Sequence, residues 1–157
     1  VGDLAARRYR FDEAIGLLRT GLALEPGNRQ AKASLGLNLL RTGEDATGRV
    51  LLAAKTKGDF SAWMKGRALA RLTPSTTVEP KAFRAVIDAV RKQDFCLSSE
   101  EHELGVHALA VPLRNSQGAT VAALNVVASL NRLSVHAMQR DLLPLLFEAA
   151  RELRPLL

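Results

Sequence analysis

The chain has 157 residues, of which 47% are apolar and 4% aromatic, and its formal net charge is +6; such a composition supports a core built of Leu, Ala and Val. No apolar run approaches the ~18 residues that a membrane span requires, and no basic-then-apolar leader opens the sequence. The single cysteine, Cys96, excludes an internal disulfide framework and fits a reducing cytoplasm, where it reads as a small core residue.

The charge is unevenly spread. Residues 47–97 carry ten Lys and Arg against four Asp and Glu, whereas 1–46 and 98–157 are close to balance. These cations are scattered over segments that read as helical, with no aromatic interleaved, so a solvated helix face is expected rather than a nucleic-acid surface.

In chain order, "YRFDEAIGLLRTGLALEPGN" predicts a helix with Asp12 as N-cap, stopped at Pro26-Gly27-Asn28. A second helix, "RQAKASLGLNLLRT", ends at Gly43 as a C-cap. A third starts at Glu44-Asp45 and carries "GRVLLAAK". The short turns imply antiparallel neighbours. Ala14, Gly21, the "ALEP" ending at Pro26, Leu35-Gly36 and the "RTGE" turn resemble a tetratricopeptide repeat over roughly the first 55 residues. About three repeats are needed for a stable array, so this segment must pack on the rest of the chain or on another chain.

After Lys57 the pattern changes. "GDFSAWMKGRAL" predicts a short helix capped by Asp59 with Phe60, Trp63 and Met64 inward, and "TPSTTVEP" predicts a loop. Glu79-Pro80 opens a helix with proline at its first position, where the missing N–H costs nothing; Phe83, Val86, Ile87 and Val90 form its apolar stripe. "DFCLS", "GVHALAVPL" and "ATVAALNVVA" read as strands, the last two joined by a turn at Asn115-Ser116-Gln117-Gly118. The segment from Arg132 onward predicts a long amphipathic helix with Ser134 as N-cap, kinked or broken near Pro144. The expected fold class is therefore α+β, an antiparallel sheet packed by helices and preceded by a helical hairpin.

"GRVLLAA", "LTPSTTVEP" and "DFCLSSEEHELGVHALAVPLRNSQGATVAALNVVASLNRLS", in this order, resemble the effector-binding domain of IclR-type transcriptional regulators. The wording "ELGVHALAVPL" is similar to the branch that governs protocatechuate, 4-hydroxybenzoate and β-ketoadipate catabolism. The resemblance divides the chain into a tetratricopeptide-like segment, 1–46, and a partial effector domain, 47–157. It implies a GAF-like sheet, assembly into dimers or higher oligomers, and a pocket for a small organic or aromatic acid beside the "GRVLLA" helix. By motif the pocket positions fall on Ala46, Thr47, Ser98, Ala108, Asn125 and Val127. Two features of such regulators are not found, the winged helix-turn-helix and the N-terminal half of the sheet. DNA is therefore expected as a partner only indirectly, through another domain.

Asn125 stands out without any family, as an amide within "AALNVVA". Buried and unsatisfied, it would cost about 1–3 kcal/mol, so it needs a mate or a ligand. Ala108 and Val127 are apolar where relatives can offer a thiol or hydroxyl, which favours a larger, partly apolar acid over a glyoxylate-like one. His102 lies among Glu100, Glu101 and Glu103, but the spacing matches no zinc set. His107 is expected to face solvent or an interface opposite Ala108, and His136 the surface. No phosphate loop, dinucleotide fingerprint or nucleophile elbow occurs. Neither enzymatic activity, a cofactor, a metal nor a membrane is implied. The expected function is sensing of an aromatic or organic acid in the cytoplasm, the alternative a protein-interaction module using the helical N-terminal region.

Overall fold

The computed structural model describes residues 45–157. The repeat-like features quoted above, from Ala14 to the "RTG" turn, lie outside the described residues.

Helix α1 spans Asp45–Ala53, α2 Lys57–Met64 and α3 Pro80–Gln93. Strands β1 (Cys96–Ser99), β2 (Val106–Arg114) and β3 (Thr120–Ser129) follow, and the chain ends in a helical segment with α4 at Val135–Ala137, a π turn at Met138–Leu142, α5 at Leu143–Leu153 and a 3₁₀ turn at Arg154–Leu156. The strands form an antiparallel sheet in the order β1-β2-β3. This is the expected antiparallel sheet packed by helices; the helical hairpin expected before it lies outside the described residues.

The two-residue period of β2 sorts its side chains by size. Leu109 and Val111 point to one face, where they pack with Met138 and Leu146; Leu113, farther along, meets Ala149 and Leu153. Ala108 and Ala110 point to the other face, against Ala46 and Val50 of α1. Small residues there let α1 lie close to the sheet. Its opposite side contributes Leu52 to a cluster with Phe60, Met64, Phe83 and Ile87, which fixes α2 and α3 against it. Each such side chain contributes about 1.5–3 kcal/mol on burial.

The polar turn forms as the sequence predicts. Asn115 Oδ1 accepts from the amides of Gln117 and Ala119, and Gly118 takes φ +83°, a left-handed conformation that favours glycine. Two expectations differ. The N-cap of α2 is Thr56, not Asp59: its hydroxyl accepts from the Asp59 amide and donates to the Asp59 carboxylate, a reciprocal cap. His107 lies on the face opposite Ala108, as expected, but is 1% exposed. Helices cover both faces of β2, so the outer face is core there and not surface. The C-terminal helix is interrupted near Pro144, as the sequence predicts. A π turn ends at Leu142, and Pro144 falls within the first two positions of α5.

Candidate functional site

Five of the six sequence-predicted pocket positions share the α1 face of the sheet or pack on it. Ser98 of β1, Ala108 of β2 and Val127 of β3 are direct cross-strand neighbours in one row. The next row is Cys96, Ala110 and Asn125, and Ala46 packs into the cluster that holds Cys96 and Ala110. The sixth, Thr47, follows Ala46 in the first turn of α1.

Burial grades across this group. Ala46, Thr47 and Ser98 are buried, Ala108 and Asn125 are half-buried, and Val127 is 54% exposed. The row is therefore closed on its β1 side and open at β3. Asn125 is not the sealed amide that periodicity suggested. Of these six residues, the one with a buried polar atom lacking a hydrogen-bond partner is instead Thr47, through its hydroxyl oxygen. An unsatisfied buried group of this kind costs about 1–3 kcal/mol. It sits in the first turn of α1, where a helix's first amides lack intrahelical partners and its dipole favours a negative group.

A second cluster lies beside this one and escapes sequence reading. Arg49 of α1 makes a two-pronged ion pair with Glu101, at 2.5 Å for each prong, and its side chain is 4% exposed against 11% for Glu101. Glu101 also accepts the Thr77 amide at 2.8 Å. Burial by itself raises the Glu101 pKa, but the hydrogen bonds and charge of Arg49 and the Thr77 amide outweigh it, so the net shift is downward. The Thr76 hydroxyl donates to the Glu101 carbonyl and the Thr73 hydroxyl to the Glu100 carbonyl, both at 2.6 Å. Glu100 adopts φ +56° and accepts the Gly105 amide through its carboxylate. "LTPSTT" and "SSEEHELG" are separated by about 25 residues in sequence, and no local spacing shows that they meet.

At the other end of α1 lies a shallow recess of about 90 Å³ lined by Val50, Ala53, Val90, Pro112, Arg114 and Thr120, among others. Its Arg114 forks onto Asp94, and Arg91 donates to the carbonyls of Ala53 and Lys55, capping α1. These cations are engaged by the protein, and the recess is remote from the Ser98–Ala108–Val127 row. His102 and His136 are exposed, and the described residues contain no cluster of His, Cys, Asp and Glu able to hold a metal. Among them no helix is long and apolar enough to cross a membrane.

A three-stranded antiparallel sheet with α1 against its small-residue face and an interrupted helix against the other makes an α+β domain. The chain belongs to the family described as "Bacterial transcriptional regulator IclR C-terminal", whose family model matches residues 31–154. It is 39% identical over 145 residues to the p-hydroxybenzoate hydroxylase transcriptional activator of Acinetobacter baylyi, covering 92% of this chain and 54% of that protein. The Pca operon regulatory protein of the same organism is 41% identical over 120 residues, covering 76% and 43%. The chain thus spans about half the length of the curated relatives it matches. Among solved structures, the inducer-binding domain of an Acinetobacter PobR double mutant, in complex with 3-hydroxybenzoic acid, superposes with TM-score 0.70 at 44% identity, over 74% of this chain and 68% of that one. The C-terminal domain of Escherichia coli KdgR superposes with TM-score 0.61 at 31% identity, over 68% and 65%.

Proposed function

We propose that this chain is the small-molecule-sensing and oligomerisation part of an IclR-type regulator of aromatic catabolism, and that its effector is a hydroxylated benzoic acid. The observation that carries this reading is the Thr47 hydroxyl, buried without a partner at the start of α1 and next to Ala46 over the sheet. A carboxylate held by the first turn of α1 would satisfy it. An aromatic ring would then lie over Ala108 and Val127, side chains too apolar to hold a two-carbon acid. The likeness to an inducer-binding domain that holds 3-hydroxybenzoic acid supports the same ligand class. Asn125 would reach the ring hydroxyl from the next row.

In this reading the chain acts in the cytoplasm as a homodimer or higher oligomer, performs no enzymatic chemistry and reaches DNA through a separate domain. Effector binding shifts the population between two arrangements of the oligomer. The division into residues 1–46 and 47–157 is part of the proposal, with α1 as the first element of the sensing unit.

Thermal-shift measurement with 3-hydroxybenzoate, 4-hydroxybenzoate and protocatechuate tests it. Ligand at about 100 times its Kd is expected to add about 2.7 kcal/mol of stability. Thr47→Val keeps the shape and removes only the hydroxyl, so the unliganded chain should melt no lower. Its ligand-induced gain should shrink sharply, and that of Asn125→Ala should vanish. A wild-type chain that gains nothing from any of the three acids sinks the sensing reading.

A further inference from the structure

The Arg49–Glu101 pair ties α1 to the loop that follows β1. Thr47 lies two residues before Arg49, and Ser98 three residues before Glu101, so the spacing of α1 from the loop after β1 decides where the two meet. The connections continue outward. Glu101 holds the Thr77 amide, and the hydroxyls of Thr73 and Thr76 hold the carbonyls of Glu100 and Glu101. The Glu100 carboxylate holds the Gly105 amide, and the Gly105 carbonyl accepts the Leu130 amide at 2.7 Å. Leu130 opens the turn that leads to the Ser134-capped α4. One desolvated ion pair therefore stands at the head of a hydrogen-bonded path. It begins beside the proposed effector position and ends at the entrance to the C-terminal helices.

We propose that Arg49 and Glu101 are positioning residues for the effector site, a latch that fixes α1 against the loop 100–105 and carries occupancy of the site to the turn before α4. Arg49 suits the task because its planar fork fixes both distance and orientation to a carboxylate, which a lysine ammonium does not. The guanidinium carbon also lies 5.6 Å from the centroid of the Phe83 ring, a cation–π contact. The inference rests on the sensing function proposed above for the ligand, but the latch itself is measurable without one.

Hydrogen exchange on the full chain without ligand, comparing wild type with Glu101→Gln, tests the latch. Glutamine keeps the size and removes the charge. Exchange at the amides of Thr77, Gly105 and Leu130 is expected to rise at least tenfold, while Leu109 and Val111 in central β2 remain as protected as before. No change at the three amides, or an equal rise throughout the sheet, overturns the latch. Hydroxybenzoate titrations then measure the positioning: Glu101→Gln and Arg49→Lys should each weaken binding at least fivefold, and Leu153→Met, a core change on the other face of the sheet, should leave Kd unchanged. Tighter binding by Glu101→Gln would mean that Glu101 competes with the ligand for Arg49, which overturns positioning. A wild-type chain that binds no hydroxybenzoate removes the sensing function alone, and the exchange result still decides the latch.

Discussion

His107 places an imidazole inside the sheet's large-residue face, with both ring nitrogens buried and no hydrogen-bond partner for either. Its cross-strand neighbours are Ser99 and Ala128, and the next residue on that face of β2 is Leu109, packed with Met138 and Leu146. A neutral imidazole carries one donor and one acceptor, and leaving them unpaired costs about 1–3 kcal/mol each. Replacing both by apolar surface of similar volume removes that cost. His107→Leu is therefore expected to keep or raise the urea midpoint of the chain, with a gain of up to about 2 kcal/mol. A stability lowered by more than about 1 kcal/mol would show that the imidazole serves as more than filler. Arg49 and Glu101 present the opposite case at the same scale. They are buried and paired with each other, so that removing either would strand the other's charge.

Among the elements, the C-terminal helix shows how a local conflict is resolved. A proline inside a helix removes a hydrogen bond and pushes its ring against the carbonyl four residues back, at a cost of about 3 kcal/mol. Here a wider turn over Met138–Leu142 ends one helical stretch and starts another, so Pro144 stands in a first turn, where it is tolerated. Pro144→Ala should then change stability by less than about 1 kcal/mol in thermal denaturation; a gain near 3 kcal/mol would mean that the proline is strained. The sequence made the break legible but not its form, because propensity reports the conflict and only packing of Met138 and Leu146 under β2 chooses the register on each side. The strands and the Asn115–Gly118 turn were legible from alternation and turn chemistry alone. The Thr56 cap was missed because Asp59 is the stronger-looking acid, although the geometry needs a residue just before the helix. The burial of His107 was missed because a strand's outer face can be surface or second core, and only the C-terminal helix decides. Of the candidate site, motif likeness proposes six positions, and the fold brings five of them to one face of the sheet. The Arg49–Glu101–Thr77 junction needs contacts between segments far apart in the chain, which no spacing encodes.

At the scale of the whole molecule, β2 is paired on both sides, whereas among the described residues no strand pairs with the outer edge of β3. That edge belongs to the longest strand, Thr120–Ser129, which contains no charged residue and no proline, the two devices by which edges are usually protected. Leu130 is 46% and Leu104 62% exposed, and the Leu130 amide bonds to Gly105, so apolar surface gathers where β3 ends. Backbone groups left open along an uncharged strand are satisfied most readily by another strand, and a second copy of the chain offers the same edge in antiparallel orientation. In the proposed oligomer this edge is a contact, and the melting temperature should rise with protein concentration. Ser129→Lys together with Leu130→Lys puts two like charges where the copies would meet, outside the candidate site. The double variant should sediment as a smaller species and lose the concentration dependence, while at high dilution it melts with wild type. If its oligomeric state is unchanged, the edge is covered from within the chain, and association must use another surface.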